Sequence, residues 1–154
     1  MRLTGKRIAI LVAEDVEDLE FYVPFMRLQE EGAEVIGAGL DLKSVHGKNG
    51  LEITPNAKID SLKSKDLFAL VIPGGWAPDK LRRHSVVTNL VREMNDAKKP
   101  IGIICHGGLV AISAELDALF QQPIRDLERQ VNAQGPNTDL RSLGLTQRLS
   151  SQVC

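Results

Sequence analysis

The amino-acid sequence predicts an α/β fold: a doubly wound parallel sheet with helices on both faces, in three α/β/α layers. Three observations predict it. Short, nearly continuous apolar runs recur at residues 6–12, 67–72 and 101–104, as expected of strands covered on both faces. Segments with helical spacing alternate with these runs. Each run also stops abruptly, in acids after the first and in Pro-Gly-Gly or Cys-His-Gly-Gly after the others.

Taken in order, "KRIAILV" (6–12) is the first strand. Residues 16–31 carry Val16, Leu19, Val23, Met26 and Leu28 among acids and end at Gly32. Acids suit the first turn of a helix and glycine its stop. Pro24 lies inside this pattern, and a kink or break is expected there. "EVIGA" (34–38) is the second strand, and "SVHGKNGLEIT" (44–54) reads as a small hairpin. "LFALVI" (67–72) is the next strand. Helical spacing resumes through Val86, Val87, Leu90, Val91 and Met94, and Pro100 introduces the strand at 101–104.

The composition changes after Ala114. Every lysine lies at or before Lys99, whereas glutamines concentrate after residue 120. Residues 5–114 therefore read as the α/β domain and 115–154 as a divergent tail, loop-rich and poorly ordered. Pro123 opens one short helix there, with Ile124, Leu127 and Val131 on a shared face. With so little apolar material in the tail, the strands at Ile8–Val12 and Ile101–Ile104 are expected to be partly bare.

The 154 residues carry a net charge of −1, which lacks the basic excess that nucleic-acid binding requires. The cluster Lys80, Arg82 and Arg83 reads as a solvated helix face. The first apolar run is too short and wrongly flanked for a signal peptide or membrane span. Two cysteines, one internal and one terminal, make no disulfide framework, and a reduced cytoplasmic setting is expected. His46, His84 and His106 have no ligand-like spacing, so neither metal nor cofactor is expected.

Chemistry concentrates beyond the carboxyl ends of strands in such sheets. Here those ends carry Glu14 to Glu17, Gly74-Gly75 and Cys105-His106. A cysteine on a sharp strand-to-helix turn presents its side chain as a nucleophile does. Glycines 107 and 108 are expected to allow the turn, and the helix that follows favours thiolate. The amides of Gly75 and His106 are candidate oxyanion donors. A lone buried cysteine is ordinarily inert packing, and an acidic patch is ordinarily a solvated helix start. Co-location at the strand ends of one sheet favours the reactive thiol.

"LVAEDVEDLEFYVPFMRLQEEGAEV", "HGKNG", "LVIPGGWAPDKLR" and "KPIGIICHGGLVAISA" together resemble the PfpI intracellular-protease family. That family belongs to the class I glutamine amidotransferase-like superfamily, with a flavodoxin-like fold. The resemblance implies Cys105 as nucleophile, His106 as its partner and Glu17 as the acid that hydrogen-bonds the thiol. It places Asp79 where an acid reaches the histidine of a neighbouring subunit, and so implies a homo-oligomer, dimer or hexamer. The implied activity is that of a stress-response cysteine hydrolase acting as peptidase, glyoxalase or protein deglycase. Its substrates are a small carbonyl compound, a peptide or a glycated protein. Gly108 stands where many relatives have proline, and Glu115 where they have glycine. The rival readings are a redox or stress sensor and an inactive truncated member of the family.

Overall fold

The computed structural model describes residues 1–116, and residues 1–115 form one unit. The helix expected after Pro123, nearly all of the tail and Cys154 lie outside the described residues. The sheet has five parallel strands in the order β5-β2-β1-β6-β7. They are β1 (Arg7–Leu11), β2 (Glu34–Gly39), β5 (Ala57–Lys58), β6 (Ala69–Ile72) and β7 (Ile101–Ile103). β1 pairs with β2 on one side and β6 on the other. This is the flavodoxin-like doubly wound arrangement, and its switch point lies between β1 and β6.

β1 is buried along Ile8 to Leu11, and Val12 beyond it is buried too, because it sits between two partner strands. The expectation of a partly bare surface fails for β1. β7 pairs only with β6 among the described residues, and its Ile101 and Ile103 are half-buried. β5 has two residues, too short for any periodic signal. The hairpin forms as expected, β3 (Val45–His46) against β4 (Glu52–Ile53), but as a separate two-stranded sheet.

Helix α1 (Asp18–Glu30) connects β1 to β2, and α3 (Ser85–Asp96) connects β6 to β7. The two crossovers run outward from the switch point in opposite directions. Right-handed connections therefore place the helices on opposite faces of the sheet. α3 buries Val87, Leu90, Val91 and Met94, the stripe read from its spacing. α1 runs through Pro24 without a break. Phe21 packs against Gly37, and the Tyr22 hydroxyl donates to the Glu52 carbonyl at 2.6 Å. These anchors offset an interior-proline cost of about 3 kcal/mol. The short helices α2 (Ala77–Leu81) and α4 (Gly108–Ser113) follow β6 and β7.

One acid of the first helical turn is not solvated. Asp18 is 2% exposed. Its carboxylate accepts the backbone N–H of Asn49 at 2.7 Å and of Leu51 at 2.8 Å. Burial alone pushes this carboxyl up, but the backbone donors of Asn49 and Leu51 outweigh it and hold it below the ordinary range. Asp18 thus fastens the hairpin to the start of α1. With the folded value below the unfolded one, its stabilisation is complete above the unfolded range, near pH 3.9 for an ordinary aspartate. It is lost as pH falls through the depressed value. Asp18→Asn, which opposes an amide N–H₂ to one of these donors, is expected to cost about 1–3 kcal/mol. Hydrogen exchange should show amides 49 and 51 losing protection before those of β1. Unchanged protection at both amides would contradict the clamp.

Candidate active site

Three strand ends meet at the carboxyl edge of the sheet. The Ile104 N–H donates to the Ile72 carbonyl at 3.0 Å, which carries the β6–β7 pairing one residue further and sets Cys105 beside the Pro73-Gly74-Gly75 turn. On the opposite side of that turn, Val16 and Gly75 form an antiparallel bridge. Glu17 N–H donates to the Gly74 carbonyl at 3.2 Å, and Trp76 N–H to the Asp15 carbonyl at 2.9 Å.

The approach is close enough to require glycine at both positions. A Cβ on Gly75 would lie 2.4 Å from the Asp15 carbonyl oxygen, and its φ is +76°. A Cβ on Gly74 would lie 2.9 Å from Cys105 Cβ and 2.9 Å from the His106 nitrogen. The Gly74-Gly75 peptide therefore packs directly on Cys105-His106. Among the described residues, neither the Gly75 nor the His106 amide donates to another group. Both expected oxyanion donors belong to this junction.

Cys105 has a φ of +50°. That left-handed conformation costs a non-glycine residue about 1–3 kcal/mol and persists where the surroundings enforce it. Gly107 and Gly108, where the sequence places the turn, both have ordinary helical backbone. The strain falls on the cysteine, since Gly107 is pressed against the Ile72 carbonyl, 2.3 Å from where its Cβ would be. The thiol is exposed, and its Sγ lies 3.1 Å from His106 Nδ1. The His106 ring stacks on Trp76, with centroids 6.3 Å apart and planes at 30°. α4 has only six residues, so its dipole lends the thiol little beyond what the local contacts give.

The acids are arranged differently from the sequence expectation. Glu17 does not bond the thiol among the described residues. It is the N-cap of α1: Oε2 accepts the Glu20 N–H at 2.9 Å, and Oε1 accepts the Asn49 side-chain N–H at 3.1 Å. The carboxylate on the glycine turn that packs against Cys105 belongs to Glu20, one helical turn later. Its Oε2 accepts the Gly74 N–H at 2.6 Å. A Cβ on Gly74 would lie 2.6 Å from this oxygen. Sequence reasoning missed Glu20 because both glutamates follow the same strand. The signal was available, since Glu17-x-x-Glu20 matches the spacing of a helix cap and its N3 residue.

Asp79 sits on α2 and is taken up by its own helix. Its Oδ1 accepts from Arg82 at 2.7 and 2.9 Å, and its Oδ2 accepts from Arg83 at 2.5 Å. Hydrogen bonds from Arg82 and then Arg83 hold its carboxyl below the ordinary range. Among the described residues no hydrogen bond joins it to His106. Lys80 is likewise paired rather than simply solvated, donating to Asp15 Oδ2 at 2.6 Å. His46 lies against the acidic loop, its backbone N–H donating to Glu14 at 3.1 Å. Among the described residues no cluster of three or more His, Cys, Asp or Glu side chains suits a metal. No described helix is long and apolar enough to cross a membrane.

These features sit in a chain with clear relatives. Residues 6–118 match the model of the DJ-1/PfpI family. Deglycase PfpI of Pyrococcus furiosus is 36% identical over 108 residues, 70% of this chain and 65% of that protein. General stress protein 18 of Bacillus subtilis is 37% identical over 113 residues, 72% of this chain and 66% of that protein. Among solved structures, a two-domain Anabaena variabilis protein with DJ-1/ThiJ/PfpI-like and ferritin-like domains superposes with a TM-score of 0.71 at 35% identity. That match covers 73% of this chain and 33% of the other. The chain spans about two thirds of the length of the curated relatives it matches. On its strand order, its cysteine turn and these matches, it belongs to the DJ-1/PfpI family.

Proposed function

We propose that this chain carries the nucleophilic centre of a cysteine-dependent hydrolase acting on carbonyl compounds, with α-oxo aldehydes and their protein adducts as the substrate class. The observation that carries the reading is the exposed Cys105, at φ +50° with Sγ 3.1 Å from His106 Nδ1. Relatives named as deglycases support it. Glyoxalase turnover is the simplest member of this chemistry.

In that reaction the Cys105 thiolate adds to the aldehyde carbon, forming a C–S bond while the carbonyl electron pair moves to oxygen. The Gly75 and His106 amides hold that oxyanion, a contribution worth about 10²–10³ in rate per donor in comparable sites. His106 Nδ1, in reach of sulfur, holds the thiol proton and returns it. The hydrogen on the aldehyde carbon moves as a proton to the neighbouring carbonyl carbon, whose C=O electron pair passes to its oxygen and takes up a proton from His106, while the first oxyanion re-forms C=O and leaves an α-hydroxy thioester. Water then cleaves the C–S bond to give an α-hydroxy acid and the free thiol. No external oxidant or reductant enters. Glu20 holds the Gly74 amide and so positions the turn that presents the Gly75 amide, while Glu17 secures the helix that carries Glu20.

The first test is conversion of methylglyoxal to lactate. The unaltered chain should turn over, and Cys105→Ser should abolish turnover. Absence of turnover, with peroxide converting Cys105 to a stable sulfinate, would replace the hydrolase with a redox sensor.

The two glutamates make a second test. Glu20→Ala should lower kcat by about 10–100-fold through loss of an aligned oxyanion donor. Glu17→Ala should instead cost about 1 kcal/mol of stability through the lost cap. Thermal melts and steady-state kinetics separate the two effects, and a larger kcat loss at Glu17 would reverse the assignment.

A further inference from the structure

Trp76 breaks a local rule at the edge of this site. It is the N-cap of α2, a position where Ser, Thr, Asp or Asn would satisfy a free amide, and it makes no side-chain cap bond. Its side chain is not drawn into the core either, since the residue is 66% exposed. The backbone beneath it is fixed, with its N–H on the Asp15 carbonyl and the next two residues, Ala77 and Pro78, buried. The indole stacks on His106, whose Nδ1 meets the Cys105 sulfur. A large, rigidly mounted aromatic thus stands in water one side chain away from the thiol. The neighbouring charged groups are engaged elsewhere: Asp15 with Lys80, Glu17 with Asn49, and Glu20 with Gly74. Among the described residues, no cation lies over the indole.

We propose that Trp76 is the specificity wall of the site and selects carbonyl substrates that bear an aromatic group on the reacting unit. This rests on the hydrolase reading and names its preferred substrates, aryl over small alkyl α-oxo aldehydes. An aryl group lies along the indole in an offset stack while the aldehyde carbon reaches the thiol. A methyl group in the same place leaves most of the indole in water. Trp76 therefore acts on substrate binding, and the chemistry remains with Cys105 and His106.

The test compares initial rates with phenylglyoxal and methylglyoxal in the full chain and in Trp76→Ala and Trp76→Phe. Trp76→Ala should raise KM for phenylglyoxal about tenfold more than KM for methylglyoxal. Trp76→Phe should restore most of the loss. Equal losses for both aldehydes would overturn the wall. A second readout is independent of turnover, because Trp76 is the only tryptophan in the chain. In Cys105→Ser, mandelate should quench its fluorescence saturably and lactate should not. If neither aldehyde is turned over but mandelate quenches selectively, the hydrolase reading fails and the aromatic subsite stands. If both α-hydroxy acids behave alike, the subsite fails. A fluorescence shift that tracks self-association on dilution would also overturn it, because the indole would then be covered by a second copy.

Discussion

The site depends on one steric constraint, the absence of side chains at Gly74 and Gly75. Pro73-Gly74-Gly75 links the acidic loop after β1 to the cysteine turn after β7. A Cβ at Gly75 would strike the Asp15 carbonyl, and one at Gly74 would strike both Glu20 and Cys105. The three strand ends can close up only because this peptide is bare. Its closeness also supports the left-handed backbone of Cys105, since the strain at one residue is offset by the contacts around it.

Around that junction each acid has a separate task, set by its place in the first helical turn rather than by its chemistry. Glu17 caps the helix, Asp18 clamps the hairpin, and Glu20 reaches across to the Gly74 amide. Asp15, at φ +63°, turns the loop and pairs with Lys80. The hairpin takes part through Asn49, which donates its backbone N–H to Asp18 and its side chain to Glu17. Asn49 therefore couples the hairpin to both the helix cap and the clamp.

Much of this was legible in the sequence. The apolar runs located β1, β6 and β7 to within two residues, and the stripe from Val87 to Met94 was read correctly, because a buried strand or helix face leaves a periodic record. The glycine pattern around Asn49 identified the hairpin. What the sequence did not record were choices made among chemically equal neighbours. Glu17, Asp18 and Glu20 are all acids after one strand, and only the tertiary contacts sort cap, clamp and site residue. Gly107 and Gly108 looked like the hinge, but packing on Ile72 left the unusual φ to Cys105. The sequence places Lys80, Arg82 and Arg83 on a solvated face, whereas spacing of three and four residues joins Asp79 to Arg82 and Arg83.

The central claim is that the turn at Cys105 makes its thiol the reactive one. The most direct measurement is the stoichiometry of iodoacetamide labelling at Cys105 and Cys154 at pH 6, followed by mass spectrometry. The account predicts that Cys105 is labelled first and that one equivalent at this residue stops turnover. Labelling at Cys154 at an equal or faster rate, or full activity after Cys105 is alkylated, would contradict it.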